Sequence, residues 1–189
     1  MQITMSPYKF CLPNQISPCI WQKRFINNKW NFFNYIVGNI NDVIAGKRTF
    51  AWHPSINANY LNSTLNENNT EQRFIKSLKN ELTQKGFIYT DNPTFADFYV
   101  GYGLGVESAI SDTKILNETG LLTGLQPVDN KNETDKASIF IAVFLPNQIN
   151  SSWSVLAQGY TNTEDNRKTA MDELLHFMFH SLNKTSNPS

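Results

Sequence analysis

Hydrophobic and polar positions alternate most regularly in residues 95–108, FADFYVGYGLGVES. Every second residue from Phe98 to Val106 is large and apolar, and the residues between them include three glycines. Alternation with a period of two is typical of a strand that buries one face. Residues 137–145, ASIFIAVFL, are apolar on both faces, which indicates an interior strand. Residues 152–160, SWSVLAQGY, are predicted to be its antiparallel partner after a short turn.

Two shorter strands are predicted from local composition. Residues 48–52, RTFAW, are dense in strand-forming side chains. Pro54 cannot donate to a ladder and biases His53 toward an extended conformation, so we expect this strand to end there. The polar residues 55–69 are then predicted to form a long loop, and residues 87–90, FIYT, a short strand.

Two helices are predicted from apolar residues that recur three or four positions apart. The first follows Asn69, which we expect to cap it together with Gln72, and ends at Gly86. The second is predicted over about 164–182, with Thr163 as its cap. The apolar stripes are Phe74, Ile75, Leu78 and Leu82 in the first helix and Ala170, Met171, Leu174, Leu175, Met178 and Leu182 in the second.

The order strand, helix, strands, helix predicts an α+β domain. We expect an antiparallel sheet of about four to five strands with two main helices packed on one face. Residues 110–136 are mostly polar and are predicted to be a loop or a ragged hairpin. The residues expected to face the helices are Phe50, Trp52, Phe98, Val100, Tyr102, Leu104, Ile139, Ile141 and Val143.

Basic and acidic residues are distributed unevenly along the chain. The whole sequence balances 16 basic against 16 acidic residues, so no net field favours nucleic acid as a partner. Residues 1–41 contain several bases and many aromatic residues but no acid, since the first carboxylate is Asp42. We expect this lead to lie outside the domain, either as a weakly ordered extension or as a membrane-surface or targeting segment. The domain is predicted over 42–183, with 184–189 as a disordered tail.

Few features of the chain suggest an anchor or a reactive thiol. No window approaches the length of an apolar membrane span, so no transmembrane segment is expected. Neither a secretory signal nor a lipoprotein cleavage box is recognisable. Cys11 and Cys19 both lie in the lead, and we expect them to be inert thiols.

Candidate chemistry is sparse. His176 and His180 have the spacing of a helical zinc pair but lack the accompanying Glu, so no metal and no cofactor is predicted. The glycines of GYGLG alternate within a strand, whereas a nucleotide fingerprint needs them in a turn. One catalytic alternative stays open: Asp97 and Glu107 could act with a histidine on the open face of the sheet.

Glycines inside the central strand indicate a possible contact face. A strand gains nothing from interior glycines unless something approaches closely or the sheet must bend. Sheet curvature, or rings from neighbouring strands lying over the glycines, is the simpler explanation. Our hypothesis is that a partner or the aromatic lead covers this face. Its residues are Tyr99, Gly101, Gly103, Gly105, Phe140 and Phe144.

Three short pieces of the domain carry a family resemblance. They are TFAW at 49–52, LTQKGF at 82–87 and ADFYV at 96–100. With the final helix AMDELLHFMFHSL, the sequence is similar over about 42–183 to the bacterial envelope lipoproteins grouped as domain-of-unknown-function family 4136. The resemblance implies an α+β domain located in the cell envelope or periplasm, with no catalytic residues to carry over. The usual lipoprotein signal and its lipidated Cys have no counterpart in this chain.

The sequence therefore favours a non-catalytic binding or structural domain of the bacterial envelope. Its partner would be another envelope protein, a lipid or a small ligand. The alternatives are the enzyme described above and an intracellular interaction domain whose basic lead contacts a membrane.

Overall fold

The computed structural model describes residues 8–10, 20–27, 30–67, 69–120, 136–160 and 167–183. Its strands are β1 (Tyr8–Phe10), β2 (Ile20–Asn27), β3 (Trp30–Val37), β4 (Thr49–Tyr60), β5 (Ile88–Tyr89), β6 (Phe98–Val106), β7 (Lys136–Phe144) and β8 (Trp153–Tyr160). Its helices are α1 (Ile40–Val43), α2 (Ser63–Glu67), α3 (Thr70–Gln84), α4 (Asp112–Thr119) and α5 (Arg167–Met178), with a 3₁₀ turn at Pro93–Phe95.

The strands form one mixed sheet in the order β1-β2-β3-β8-β7-β6-β4-β5. The α+β class is confirmed, but the prediction of a small antiparallel sheet is wrong in two respects. The sheet has eight strands among the described residues, six of them after residue 29, and β4 runs parallel to both β5 and β6. The helix α3 connects β4 to its parallel neighbours, and a helical crossover is what parallel pairing requires. The pairs β6–β7 and β7–β8 are antiparallel.

The main core lies between one face of the sheet and the helices α3 and α5. Phe74, Leu78 and Leu82 of α3 and Leu175 and Met178 of α5 are buried there. The predicted inward-facing residues of β4, β6 and β7 all belong to this cluster or pack against it, so the assignment of the faces is confirmed. The other face carries α4, so the helices are not all on one side.

Strand β4 continues past Pro54, contrary to the prediction that it ends at His53. The pairing of β4 with β6 shifts between Trp52 and Asn57, where the four residues 53–56 lie opposite the single residue Gly101. This segment is a large bulge, and a residue in a bulge needs no ladder hydrogen bond from its own N–H. The Ser55 backbone N–H donates to His53 Nδ1 across 3.2 Å, which closes the bulge locally.

Two polar segments that were predicted as loops contain regular structure. Residues 55–69 include the end of β4 and the helix α2. Residues 110–120 include α4, where Ser111 caps the first turn by accepting from the Lys114 N–H, and Gly120 ends the helix with φ 70°. The remainder of that second segment, 121–135, lies outside the described residues.

The predicted cap at the start of α3 is wrong, and the predicted glycine at its end is confirmed. Asn69 has φ 53° and makes no side-chain cap hydrogen bond, so the predicted pair with Gln72 is wrong. A capping residue is normally extended, and the left-handed backbone of Asn69 excludes that geometry. Gly86 has φ 97° and ends α3 as predicted. Thr163, the expected cap of α5, lies outside the described residues.

The second half of the lead belongs to the sheet, which corrects the predicted boundary at residue 42. Strand β3 pairs with β8 over Phe33–Val37, and β2 pairs with β3 on its other side. Tyr35 and Ile36 are buried, and Ile40 of α1 is 1% exposed in the main core. The strand β8 is interior and apolar, so β3 supplies the backbone partners that its outer edge needs. Of the part of the chain that the structure describes, no helix combines the length and the apolarity needed to cross a membrane.

Candidate functional site

A groove of about 360 Å³ opens on the face of the sheet opposite the main helices. Its floor is Gly103 of β6, which lies between Ala58 of β4 and Phe140 of β7 in the strand register. The helix α4 forms one wall with Ile115 and Glu118. The lining residues are Ser55, Ile56, Asn57, Ala58, Tyr60, Tyr102, Gly103, Leu104, Gly105, Ile110, Ile115, Glu118, Thr119, Ser138, Phe140 and Leu156.

The three glycines of β6 have different surroundings. A Cβ at Gly101 would lie 2.6 Å from Ile56 Cγ2, and a Cβ at Gly105 would lie 2.5 Å from Ile110 Cγ2. Real side chains do not pack that closely, so isoleucines occupy the space that two of the glycines leave. A Cβ at Gly103 would meet its neighbours only at 3.7 Å and beyond, which is ordinary contact. Gly103 therefore faces the groove.

Isoleucines and α4 cover much of this face, and rings from β7 lie beside two of the glycines. A Cβ at Gly101 would lie 3.1 Å from Phe144 Cε2, and a Cβ at Gly103 would lie 3.9 Å from Phe140 Cδ1. A second apolar cluster joins the buried residues Tyr35, Ile110, Ile115 and Leu156, with Phe140 packed against it. Tyr35 comes from β3, so the lead contributes one buried residue to this cluster, and the hypothesis that the lead or a partner covers this face stays a prediction. The remaining cover comes from the chain's own β4 bulge and α4, which the hypothesis did not include.

A buried polar network lies beside the groove. The Lys136 ammonium, 1% exposed, pairs with Asp112 at the start of α4 and lies 3.9 Å from Glu107. Gln158 is fully buried and donates from Nε2 to Ser138 Oγ across 3.0 Å. Ser138 lines the groove and lies opposite Gly105 in the strand register. The network therefore links the position of α4 to a hydroxyl group in the groove.

Charges at the outer part of the groove are paired with each other. Glu118 accepts a hydrogen bond from the Tyr60 hydroxyl across 3.2 Å and lies 3.8 Å from Lys114 Nζ. The same ammonium lies 4.4 Å from the centre of the Tyr60 ring. Glu118 is the one acidic or basic side chain among the described residues that line the groove.

The predicted contact face divides between the groove and its surroundings. Gly103, Gly105 and Phe140 line the groove. Phe144 is buried, with its ring centre 4.5 Å from that of His53. Tyr99 donates its hydroxyl to the Pro93 carbonyl across 3.1 Å. Gly101 lies under Ile56.

The structure does not bring Asp97 and Glu107 together. They flank the nine residues of β6, which at about 3.3 Å per residue places them about 30 Å apart. Asp97 Oδ2 accepts from the backbone N–H groups of Arg48 and Thr49, both at 2.8 Å. These two hydrogen bonds hold the pKa of Asp97 below its ordinary value. Asp97 therefore holds the start of β4 as a carboxylate.

The histidines lie in separate places. His53 packs beside Phe144, and burial lowers its pKa. His176 Nδ1 lies 3.3 Å from Glu81 Oε1, across the α3–α5 contact. The ring of His180 stacks on Phe177. No group of three metal-ligating side chains occurs in the described ranges.

Some signals for the groove were present in the sequence but were outweighed by others. Ile56, Ala58 and Tyr60 alternate with polar residues, which is a strand pattern, but Pro54 suggested that the strand had ended. Ser111 and Gly120 bracket α4 as a cap and a stop signal. Ile110 could not have been assigned, because its contact with Gly105 depends on the turn after β6.

The fold has counterparts among solved structures. No protein-family model and no curated protein matches the sequence. A PelC dodecamer from Paraburkholderia phytofirmans is similar with a TM-score of 0.53 and 9% identity, over 82% of this chain and 99% of that one. A DUF4136 family protein from Bacteroides thetaiotaomicron, from the family that the sequence resembles, aligns with a TM-score of 0.49 and 11% identity, over 82% of this chain and 98% of that one. At these identities the similarity concerns the fold alone.

Proposed function

We propose that this protein is a non-catalytic binding domain of the bacterial envelope and that the groove over Gly103 is its ligand site. The single observation that carries this proposal is the difference among the three glycines. Ile56 and Ile110 fill the space over Gly101 and Gly105, while in the part of the chain that the structure describes no atom of a neighbouring strand would lie closer than 3.7 Å to a Cβ at Gly103. A concave, mainly apolar site with a few polar groups is the usual form of a small-molecule site.

The envelope setting rests on the sequence resemblance to family 4136, carried by residues 49–52, 82–87 and 96–100. A binding role suits the groove better than catalysis. Among the described residues of its lining there is one carboxylate, Glu118, and there is no histidine or cysteine. Glu118 is already hydrogen-bonded to Tyr60, and the catalytic alternative needed Asp97 and Glu107 on one site.

The substitution Gly103→Val tests this proposal. The new side chain should fill the groove without displacing Phe140 or Ala58, since a Cβ there makes only ordinary contacts. We expect the wild-type protein to bind 2-decanone, a short neutral amphiphile, in a calorimetric titration. Binding by the variant should be at least about tenfold weaker, which corresponds to about 1.4 kcal/mol.

The matched control is Thr83→Val, on the exposed surface of α3. It also introduces a valine, by replacing a hydroxyl with a methyl group on the other side of the sheet, and should leave binding unchanged. Both variants should unfold at the temperature of the wild type to within a few degrees. Equal binding by wild type and Gly103→Val would show that the groove is not the site.

A further inference from the structure

The size of the groove limits its ligand. A volume of about 360 Å³ lies near the lower end of the range for small-molecule pockets, about 300–1,000 Å³. Such a space holds one short chain or a small ring system. A two-chain lipid is much larger than this.

The charges around the groove favour an uncharged ligand. Glu118 faces Lys114 on the same helix, and Lys136 faces Asp112 and Glu107. Each of these two ammonium groups is thus beside a carboxylate, and the lining residues that the structure describes include no base. A bound anion would lose hydration without gaining a partner, and this makes burial of a charge unfavourable.

One buried hydroxyl indicates what the polar end of the ligand is. Ser138 Oγ, in a residue 6% exposed, accepts the Gln158 amide N–H across 3.0 Å. A hydroxyl that accepts one hydrogen bond still has its own proton to donate. Because Ser138 lines the groove, that proton is available to an acceptor on a ligand.

We infer that the groove binds a free, single-chain neutral amphiphile, with its apolar part against Phe140 and Ile115 and an uncharged oxygen acceptor at Ser138. This inference rests on the proposed function, because it names the ligand class of the same site.

Three probes of similar length test the class: 2-decanone, decanoate and decylammonium, each titrated into the full-length protein at neutral pH. We expect 2-decanone to bind best and decanoate to bind at least about tenfold more weakly, because the anion finds no base. Binding of decanoate or decylammonium that equals or exceeds that of 2-decanone would overturn the inference while leaving the site in place. If none of the three binds, the proposed function fails and the inference fails with it.

The variant Ser138→Ala tests the polar contact. It should weaken 2-decanone about three- to tenfold, the range of one hydrogen bond. Ser138→Cys keeps a side chain of similar size with a weaker donor and should fall between the two, which controls for a packing defect. Unchanged affinity in both variants would contradict the role of Ser138.

Vesicles of a neutral two-chain phospholipid test the source of the ligand. We expect the wild-type protein and Gly103→Val to co-float with these vesicles to the same extent. Co-flotation that Gly103→Val abolishes would show that the site holds a membrane lipid chain and would overturn the assignment to a free amphiphile.

Discussion

At the scale of single residues, the three glycines of β6 differ in which side chains lie over them. Ile56 and Ile110 project over Gly101 and Gly105 because the β4 bulge and the turn after β6 place them there. Among the described residues, no isoleucine projects over Gly103 in this way. Glycine therefore allows close packing at two positions and leaves space for the groove at the third.

We expect Gly101→Ala and Gly103→Ala to differ in stability. The first should cost about 1–3 kcal/mol, the usual penalty for overpacking, because its Cβ would lie 2.6 and 2.8 Å from two Ile56 atoms. The second should be neutral or stabilising by up to about 1 kcal/mol, since glycine is unfavourable inside a strand. Urea unfolding of both variants measures the difference, and equal free energies of unfolding would contradict it.

Asp97 should make stability depend on acid. Its pKa is lowered in the folded protein, so its stabilisation is complete above the unfolded pKa and is lost as pH falls through the folded pKa. The variant Asp97→Asn should lose about 1 kcal/mol at pH 7, because the Arg48 and Thr49 N–H groups lose a charged acceptor. The difference from wild type should shrink below about pH 4, the range in which aspartate is protonated. A difference that is constant from pH 7 to pH 3 would argue against this role.

At the scale of elements, α4 and the β4 bulge form the groove. The helix is held to the sheet by the pair Asp112–Lys136 and by Ile115, which packs with Tyr35 and Leu156. The bulge contributes Ile56, and the strand beyond it contributes Ala58 and Tyr60.

Removing the Asp112 carboxylate should destabilise the protein strongly. Asp112→Ala removes the nearer of the two carboxylates described beside the buried Lys136 ammonium, the other being Glu107 at 3.9 Å, and we expect a loss of about 3 kcal/mol. The double variant Asp112→Leu with Lys136→Met removes both charges and should be more stable than the single variant. Denaturant unfolding compares the stability of the two variants. A double variant less stable than Asp112→Ala would contradict the claim that an unpaired Lys136 charge causes the loss.

The sequence predicted the elements that follow a regular pattern. The alternation in β6 assigned the two faces of the sheet correctly, and the stripe of α3 gave its buried residues. The parallel direction of β4 could not be predicted, because the direction of a strand depends on which edge it joins. The prediction that β4 ends at His53 was wrong because the rule for proline assumes a regular ladder. In the bulge, no ladder hydrogen bond from the backbone nitrogen of Pro54 is needed. The groove depends on contacts between distant segments, so only half of the predicted contact face lies in it.

At the scale of the whole molecule, hydrogen bonds join the segment after β3 and the end of α3 to residues 181–183, which follow α5. Asn41 donates from Nδ2 to the Ser181 carbonyl across 2.7 Å and accepts from the Asn183 N–H across 2.9 Å. Lys85 Nζ donates to the Leu182 carbonyl at 2.8 Å. The lead contributes β3 to the sheet, so the folded sheet begins before residue 42.

A chain that begins at residue 42 should therefore be much less stable than one that begins at residue 30. The shorter chain lacks the β3 ladder on β8 and two core residues, Ile36 and Ile40. Losses of about 2–5 kcal/mol for each large core side chain are comparable to the total stability of a domain. Circular dichroism and urea unfolding compare the two chains. Equal stability would place the lead outside the domain after all.

The central claim is that the space over Gly103 is a ligand site, and NMR mapping of backbone amides tests it most directly. Titration of 2-decanone into the labelled protein should shift the amides of Gly103, Gly105 and Ser138, with saturation at a single affinity. The amides of α3 and α5 should stay unchanged, because the sheet separates them from the groove. Shifts confined to the helix face, or saturable binding that leaves Gly103 and Ser138 unaffected, would contradict the account.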